Sequence, residues 1–166
     1  MHMVRMVTAL SLAALTISGF GQDPDKPTNW QTYETGQNSK ATEYKTFVIR
    51  NQKQWADYWR HAHGGVPPRP KGVDWRRNEL LAIHLGQRNT GGYSVYVGGV
   101  VPIAPRKYEV SVVAHEPPPG TMVAQALTSP YVVVKLPRNL GAYFITREVD
   151  KPDGTNPDPR PRTPPL

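Results

Sequence analysis

Few side chains in this 166-residue chain are spaced for catalysis. His115-Glu116 stands just before a Pro run and could serve as an acid/base pair, and Thr128-Ser129-Pro130 could present a hydroxyl nucleophile. Brought into one cleft, His115, Glu116 and Ser129 would suit a hydrolase acting on an envelope polymer or a peptide. Read singly, the same residues suit a loop pair and a strand-entry turn. His61 and His63 are two apart on a predicted helix, so they point to different sides and make poor joint metal ligands. His84 falls inside a predicted strand, where a histidine satisfied by the sheet is the simpler reading. There is no HExxH, no GxSxG and no cysteine nucleophile. No catalytic set, metal site or cofactor is expected from these residues.

Binding chemistry is better represented. In GQRNTGGYSVYVGGV, Gly86 to Val100, the donors Arg88, Asn89 and Thr90 adjoin Gly91-Gly92 and Tyr93. Their N–H groups could hold a carboxylate or a peptide backbone. No GxxxxGK or strand-to-helix GxGxxG accompanies them, so a phosphate cradle is not indicated. Structural roles also suffice. Gly91-Gly92 would turn a hairpin between strands near 79–86 and 93–101, both glycines being able to take positive φ, and Gly98-Gly99 would suit a bulge.

The elements that must position these residues follow from periodicity. NWQTYETGQ is a candidate first strand, and YKTFVIR (44–50) is a stronger one. Asn51 is a predicted N-cap for a helix over about 51–62, with Trp55, Tyr58, Trp59 and Ala62 on one face. ELLAIHLG, YSVYVGGVV, YEVSVVAHE, YVVVKLP and AYFITREV read as strands, VPIAPRK as a turn and TMVAQALTSP as a short extra strand. Strands in runs with one early helix predict an α+β fold, a mainly antiparallel sheet with one amphipathic helix packed against it.

The ends read differently. Arg5, the apolar run Val7–Ile17 and small residues Gly19 and Gly21 form a secretory signal pattern over 1–21, so a secreted or periplasmic location is expected after cleavage near Gly21. That run is shorter than the roughly 20 residues of a membrane span. With no cysteine for lipid attachment, no stable membrane anchor is expected. Residues 22–43 form an N-terminal segment, 44–149 the α+β domain, and 150–166 a Pro-rich disordered tail. The formal net charge of +7 is scattered; its densest group, RPKGVDWRR, lies in a Pro/Gly-rich loop without a nucleic-acid motif. No nucleic-acid partner is expected.

TGGYSV (90–95) followed by AQALTSPYVVVKLP (124–137), after FVIRNQKQWADYWRHAH and VDW…ELLAIHLG in that order, resembles the PrcB C-terminal domain family. The resemblance implies an exported bacterial accessory subunit that binds and stabilises a subtilisin-like serine protease, and it brings no catalytic residues. It points to Thr90, Gly91, Gly92 and Tyr93, with Thr128, Ser129, Pro130 and Tyr131, as the motif; Arg88 joins them as a charged neighbour suited to acidic ground on a protein partner. This chain departs from the namesake in lacking a lipidation cysteine and in adding the Pro-rich tail. The hydrolase and a purely structural envelope domain stand as the other two readings.

Overall fold

The computed structural model describes residues 28–138 and 140–150. The expected signal peptide and residues 151–166 of the Pro-rich tail lie outside them. In chain order the elements are β1 (Gln31–Gly36), β2 (Lys45–Ile49), α1 (Gln52–Ala62), β3 (Asn78–His84), β4 (Ser94–Ala104), β5 (Lys107–His115), β6 (Tyr131–Pro137) and β7 (Ala142–Asp150). The architecture is α+β with mainly antiparallel pairing, as the periodicity predicts, but the strands divide into two sheets. One has the order β1-β6-β3-β2, the other β4-β5-β7.

The division follows from β3 and β6, which pair antiparallel from Asn78↔Pro137 to His84↔Tyr131. Both are apolar on both faces, so both faces need cover. Leu81, Ile83, Val132, Val134 and Leu136 pack with Val95, Val97, Val100, Tyr108, Val110 and Val112 of the second sheet. Leu80, Ala82, Tyr131 and Val133 face Trp55, Tyr58 and Ala62 of α1. The result is three layers: helix, four-stranded sheet, three-stranded sheet.

Local chemistry sets α1. Asn51 Oδ1 accepts from the Gln54 N–H (2.9 Å), and Gln54 Oε1 accepts from the Arg50 N–H (2.7 Å). Trp55 is buried, and its indole N–H donates to Pro68 O (2.7 Å), which ties the following loop to the helix. At the far end His63 caps the helix, its N–H donating to Trp59 O (2.8 Å).

Three expectations are corrected. Strands β3 and β4 do not form a hairpin: β3 already has β2 and β6 on its two edges, so β4 has no free edge to join and starts the other sheet. The stretch 121–130 is not a strand; it makes only isolated bridges, Arg88↔Thr128 and Asn38↔Ser129. The predicted turn at 101–107 is shorter, because β4 runs to Ala104 and β5 starts at Lys107. The bulge is where the glycines place it. Register shifts between Val97 and Gly99, and the extra residue brings Val100 onto the buried face with Val95 and Val97.

A buried carboxylate links the layers. Glu79 on β3 is fully buried; it accepts from Arg50 Nε (2.8 Å) and from the Tyr143 hydroxyl of β7. Arg50→Ala would leave that carboxylate in the core with Tyr143 alone. The expected loss is about 3 kcal/mol in urea unfolding, at the low end for a broken buried pair because Arg50 is partly solvated. A loss below about 1 kcal/mol would contradict this role.

Candidate functional site

The motif residues lie where the chain passes between the two sheets. Residues 85–93 carry it from β3 to β4, and residues 116–130 bring it back from β5 to β6. Each passage starts beside the end of the other, since His84 pairs with Tyr131 in one sheet and Ser94 with His115 in the other.

Backbone hydrogen bonds stitch the passages together. The Arg88 N–H donates to Thr128 O (2.8 Å) and the Thr128 N–H to Arg88 O (2.9 Å). The Gly91 N–H donates to Ala124 O (2.8 Å), the Leu85 N–H to Pro130 O (2.9 Å), and Thr128 Oγ1 to Thr90 O (2.9 Å). The Gly91 N–H is therefore a stitch and not an open donor for a carboxylate. Only Gly92 has a left-handed backbone (φ 86°), so the expectation that both glycines do so holds for one. A Cβ on Gly92 would stand 2.9 Å from Pro117 Cβ and Val123 Cγ1, whereas one on Gly91 would meet Ala124 Cβ at 3.4 Å.

The motif side chains separate into two groups. Arg88 and Tyr93 are half-buried at the surface, the guanidinium stacked 5.6 Å from the Tyr93 ring centre while Nη1 donates to Gln87 O (3.0 Å). Ser129, Pro130 and Tyr131 are buried. Ser129 Oγ donates to Ala41 O (2.7 Å) and lies 2.7 Å from Ser39 Oγ, which is 2.9 Å from His84 Nδ1. The Tyr131 ring stacks on His84 (5.4 Å between centres, 18°), and its hydroxyl donates to Glu34 Oε1 (2.7 Å). Tyr131 therefore faces α1 and does not converge with Arg88.

The hydrolase constellation is not assembled. Ser129 is bound inside the four-stranded sheet's end, while His115 Nδ1 lies 3.3 Å from Asp150 Oδ2 in the other sheet and the Glu116 N–H donates to Asp150 O (2.9 Å). His61 and His63 do point apart: His61 is exposed, with Nε2 3.5 Å from Lys45 Nζ, and His63 turns inward against Tyr131. A cleft of ≈ 460 Å³ lies beside β1, lined by Gln31–Glu34, Pro68, Arg69, Lys71 and Lys135. It contains none of the motif residues.

Two surface residues have no counterpart in the sequence reading. Met122 (96 % exposed) and Leu127 (64 %) lie on the return passage, flanking the residues that touch Gly91 and Gly92. Their signal was a large apolar side chain in a stretch that reads equally well as a strand. Ser39 and Ala41, the partners of Ser129, sit in an aperiodic polar stretch that offered none.

The family model described as PrcB C-terminal matches residues 80–137. The match runs from β3 to the end of β6 and takes in both passages; β1, β2, α1 and β7 lie outside it. No curated protein and no solved structure matches the chain.

Gly92→Ala should cost about 2 kcal/mol in urea unfolding, from left-handed backbone strain plus the clash, while Gly91→Ala should cost well under about 1 kcal/mol. Equal costs would refute this division of roles. His84 supplies a pH test. Burial, then the nearby positive charges of His63, His61 and Lys45, push its pKa from 6.5 down to about 4. The unfolded chain then binds the extra proton between these values, so stability is complete above pH 6.5 and falls as pH drops toward 4. In melting curves His84→Asn, which keeps a donor toward Ser39, should flatten the upper part of that fall. An unchanged slope would show that His84 does not titrate this way.

Proposed function

We propose that this protein is an exported, non-catalytic binding module that holds and stabilises a secreted subtilisin-like serine protease. The contact surface is the paired passage between the sheets: Arg88, Thr90 and Tyr93 on one side and the 121–128 stretch on the other. The observation that carries this reading is the exposure of Met122 and Leu127 on a segment pinned to the Gly91-Gly92 turn. Apolar side chains held in water on a hydrogen-bonded scaffold suit a protein partner. On the facing passage the Arg88 guanidinium, stacked on Tyr93, favours an acidic patch on that partner. The family match is consistent with an accessory role.

Supporting the division of labour, the buried motif residues hold the passages in place and the exposed ones are left for recognition. The export part of this reading is supported by the signal pattern in the sequence at 1–21. Among the described residues no helix is long and apolar enough to cross a membrane.

Capture from the secreted fraction of the source cell tests the proposal. The wild-type chain should recover a subtilisin-like protease and lengthen its active lifetime. Arg88→Glu combined with Met122→Asp should weaken capture by more than about 30-fold, the scale of one hot-spot side chain. Its melting temperature should stay within about 3 °C, because both side chains are away from the core. Equal capture by both forms would move the contact elsewhere; no protease in either, after cross-linking at low salt, would remove the accessory reading.

A further inference from the structure

The cleft beside β1 has three cations in its lining, Arg69, Lys71 and Lys135, against one carboxylate, Glu34. Its ≈ 460 Å³ is within the range of ligand clefts. Arg69 and Lys71 belong to RPKGVDWRR, the densest cationic group of the sequence. Only Lys135 of the lining lies within the matched residues 80–137, so the cleft is built mainly by parts of the chain outside the family match.

The loop wall of the cleft is fixed at three points. The Trp55 indole N–H donates to Pro68 O (2.7 Å), the Lys71 N–H donates to the Tyr33 hydroxyl (3.0 Å), and Lys135 Nζ donates to Gly72 O (3.1 Å). The Tyr33 ring meets Trp55 edge-on, 6.0 Å between centres. Tyr33 is the extra residue of a bulge, since the β1–β6 register shifts between Thr32 and Glu34. Loop, strand and helix core thus hold one another.

The charges are unevenly engaged. Glu34 Oε1 accepts from the Tyr131 hydroxyl (2.7 Å). Among the described residues none of Arg69, Lys71 and Lys135 is paired with a carboxylate. Lys135 uses one N–H on Gly72 O and keeps two more to donate. Burial raises the Tyr33 pKa, so its hydroxyl stays protonated and can donate as well. Cations gathered in one cleft concentrate their potential there.

We propose that this cleft is a second protein-binding site, one that takes an acidic segment in extended conformation, lying along β1 with its carboxylates on Arg69, Lys71 and Lys135. Residues 31–34 line the cleft in sequence, so it runs about 10 Å along the strand, room for roughly three or four residues of extended chain. In such a chain, acidic residues two apart present their carboxylates on one side. β1 is the outermost strand of its sheet, and its other edge offers main-chain donors and acceptors to the segment. The bulge at Tyr33 keeps that ladder short, so the charge contacts select the segment. A phosphate polyanion fits less well: Glu34 stands in the lining, and Arg77, further along the same cationic group, is held by Asp74 (3.5 Å). The site does not rest on the protease reading, because none of the platform residues lines it.

Nitrogen-15 NMR titration of the full chain with a blocked peptide, acetyl-Glu-Val-Glu-Val-amide, tests the proposal. The Thr32, Tyr33, Arg69 and Lys71 amide signals should shift. The Gln-Val-Gln-Val counterpart should bind at least about tenfold more weakly, the scale of one charge-assisted hydrogen bond. Arg69→Glu combined with Lys71→Glu should weaken the acidic peptide by at least about tenfold and move the melting temperature by less than about 3 °C, because both side chains are exposed. Arg88→Glu combined with Met122→Asp should bind the peptide as the wild type does. Equal binding of the two peptides, shifts confined to the 85–93 and 121–128 passages, or lost binding in the Arg88/Met122 variant would overturn the proposal. So would succinate binding as tightly as the acidic peptide, or a thymidine oligonucleotide binding more tightly.

Discussion

The pairing of β3 with β6 is the constraint on which the rest of this molecule depends. Two adjacent strands with apolar side chains on both faces cannot lie at a surface. One face draws the aromatic stripe of α1, the other draws the inner side of a second sheet. Because β1 and β2 occupy the outer edges of the pair, that second sheet must be built from strands that leave and come back. The passages that do so carry the Gly-Gly turn and the Thr-Ser-Pro-Tyr segment. The motif is thus placed where it is by burial, before any question of binding arises.

Much of this could be read from the sequence. Strict alternation marked β4 and β5, the continuous apolar runs marked β3 and β6, and the Trp55, Tyr58, Ala62 spacing marked the face of α1. What local pattern could not express was which strand edges were already taken. QRNTGG has a length and composition suited to a hairpin, and only the presence of β2 and β6 on either side of β3 forbids one. Likewise, TMVAQALTSP has strand-like residues but is held by two isolated bridges at its end. Parallel pairing of β7 with β5 is a third long-range outcome, set by the crossing after β6 and not by the composition of β7.

The motif itself was legible as a set and not as a division of labour. Its two halves do meet, through the reciprocal Arg88–Thr128 bonds. Within that joint, Ser129 and Tyr131 turn inward to Ser39, Ala41, His84 and Glu34, whereas Arg88 and Tyr93 remain at the surface. Residue type does not distinguish these fates, because serine and tyrosine are equally at home in a satisfied core network and at an interface. The partners decide, and they come from distant parts of the chain: Ser39 and Ser129 are 90 positions apart.

The central claim is that the two passages form a rigid platform anchored on the β3–β6 pair. Native-state hydrogen exchange of the free protein tests it most directly. The Leu85, Arg88, Gly91 and Thr128 amides donate to backbone carbonyls across the joint. They should exchange with the β3 and β6 amides, through global unfolding. Exchange of these four within seconds, while β3 and β6 stay protected, would show that the passages open independently of the core and would contradict the account.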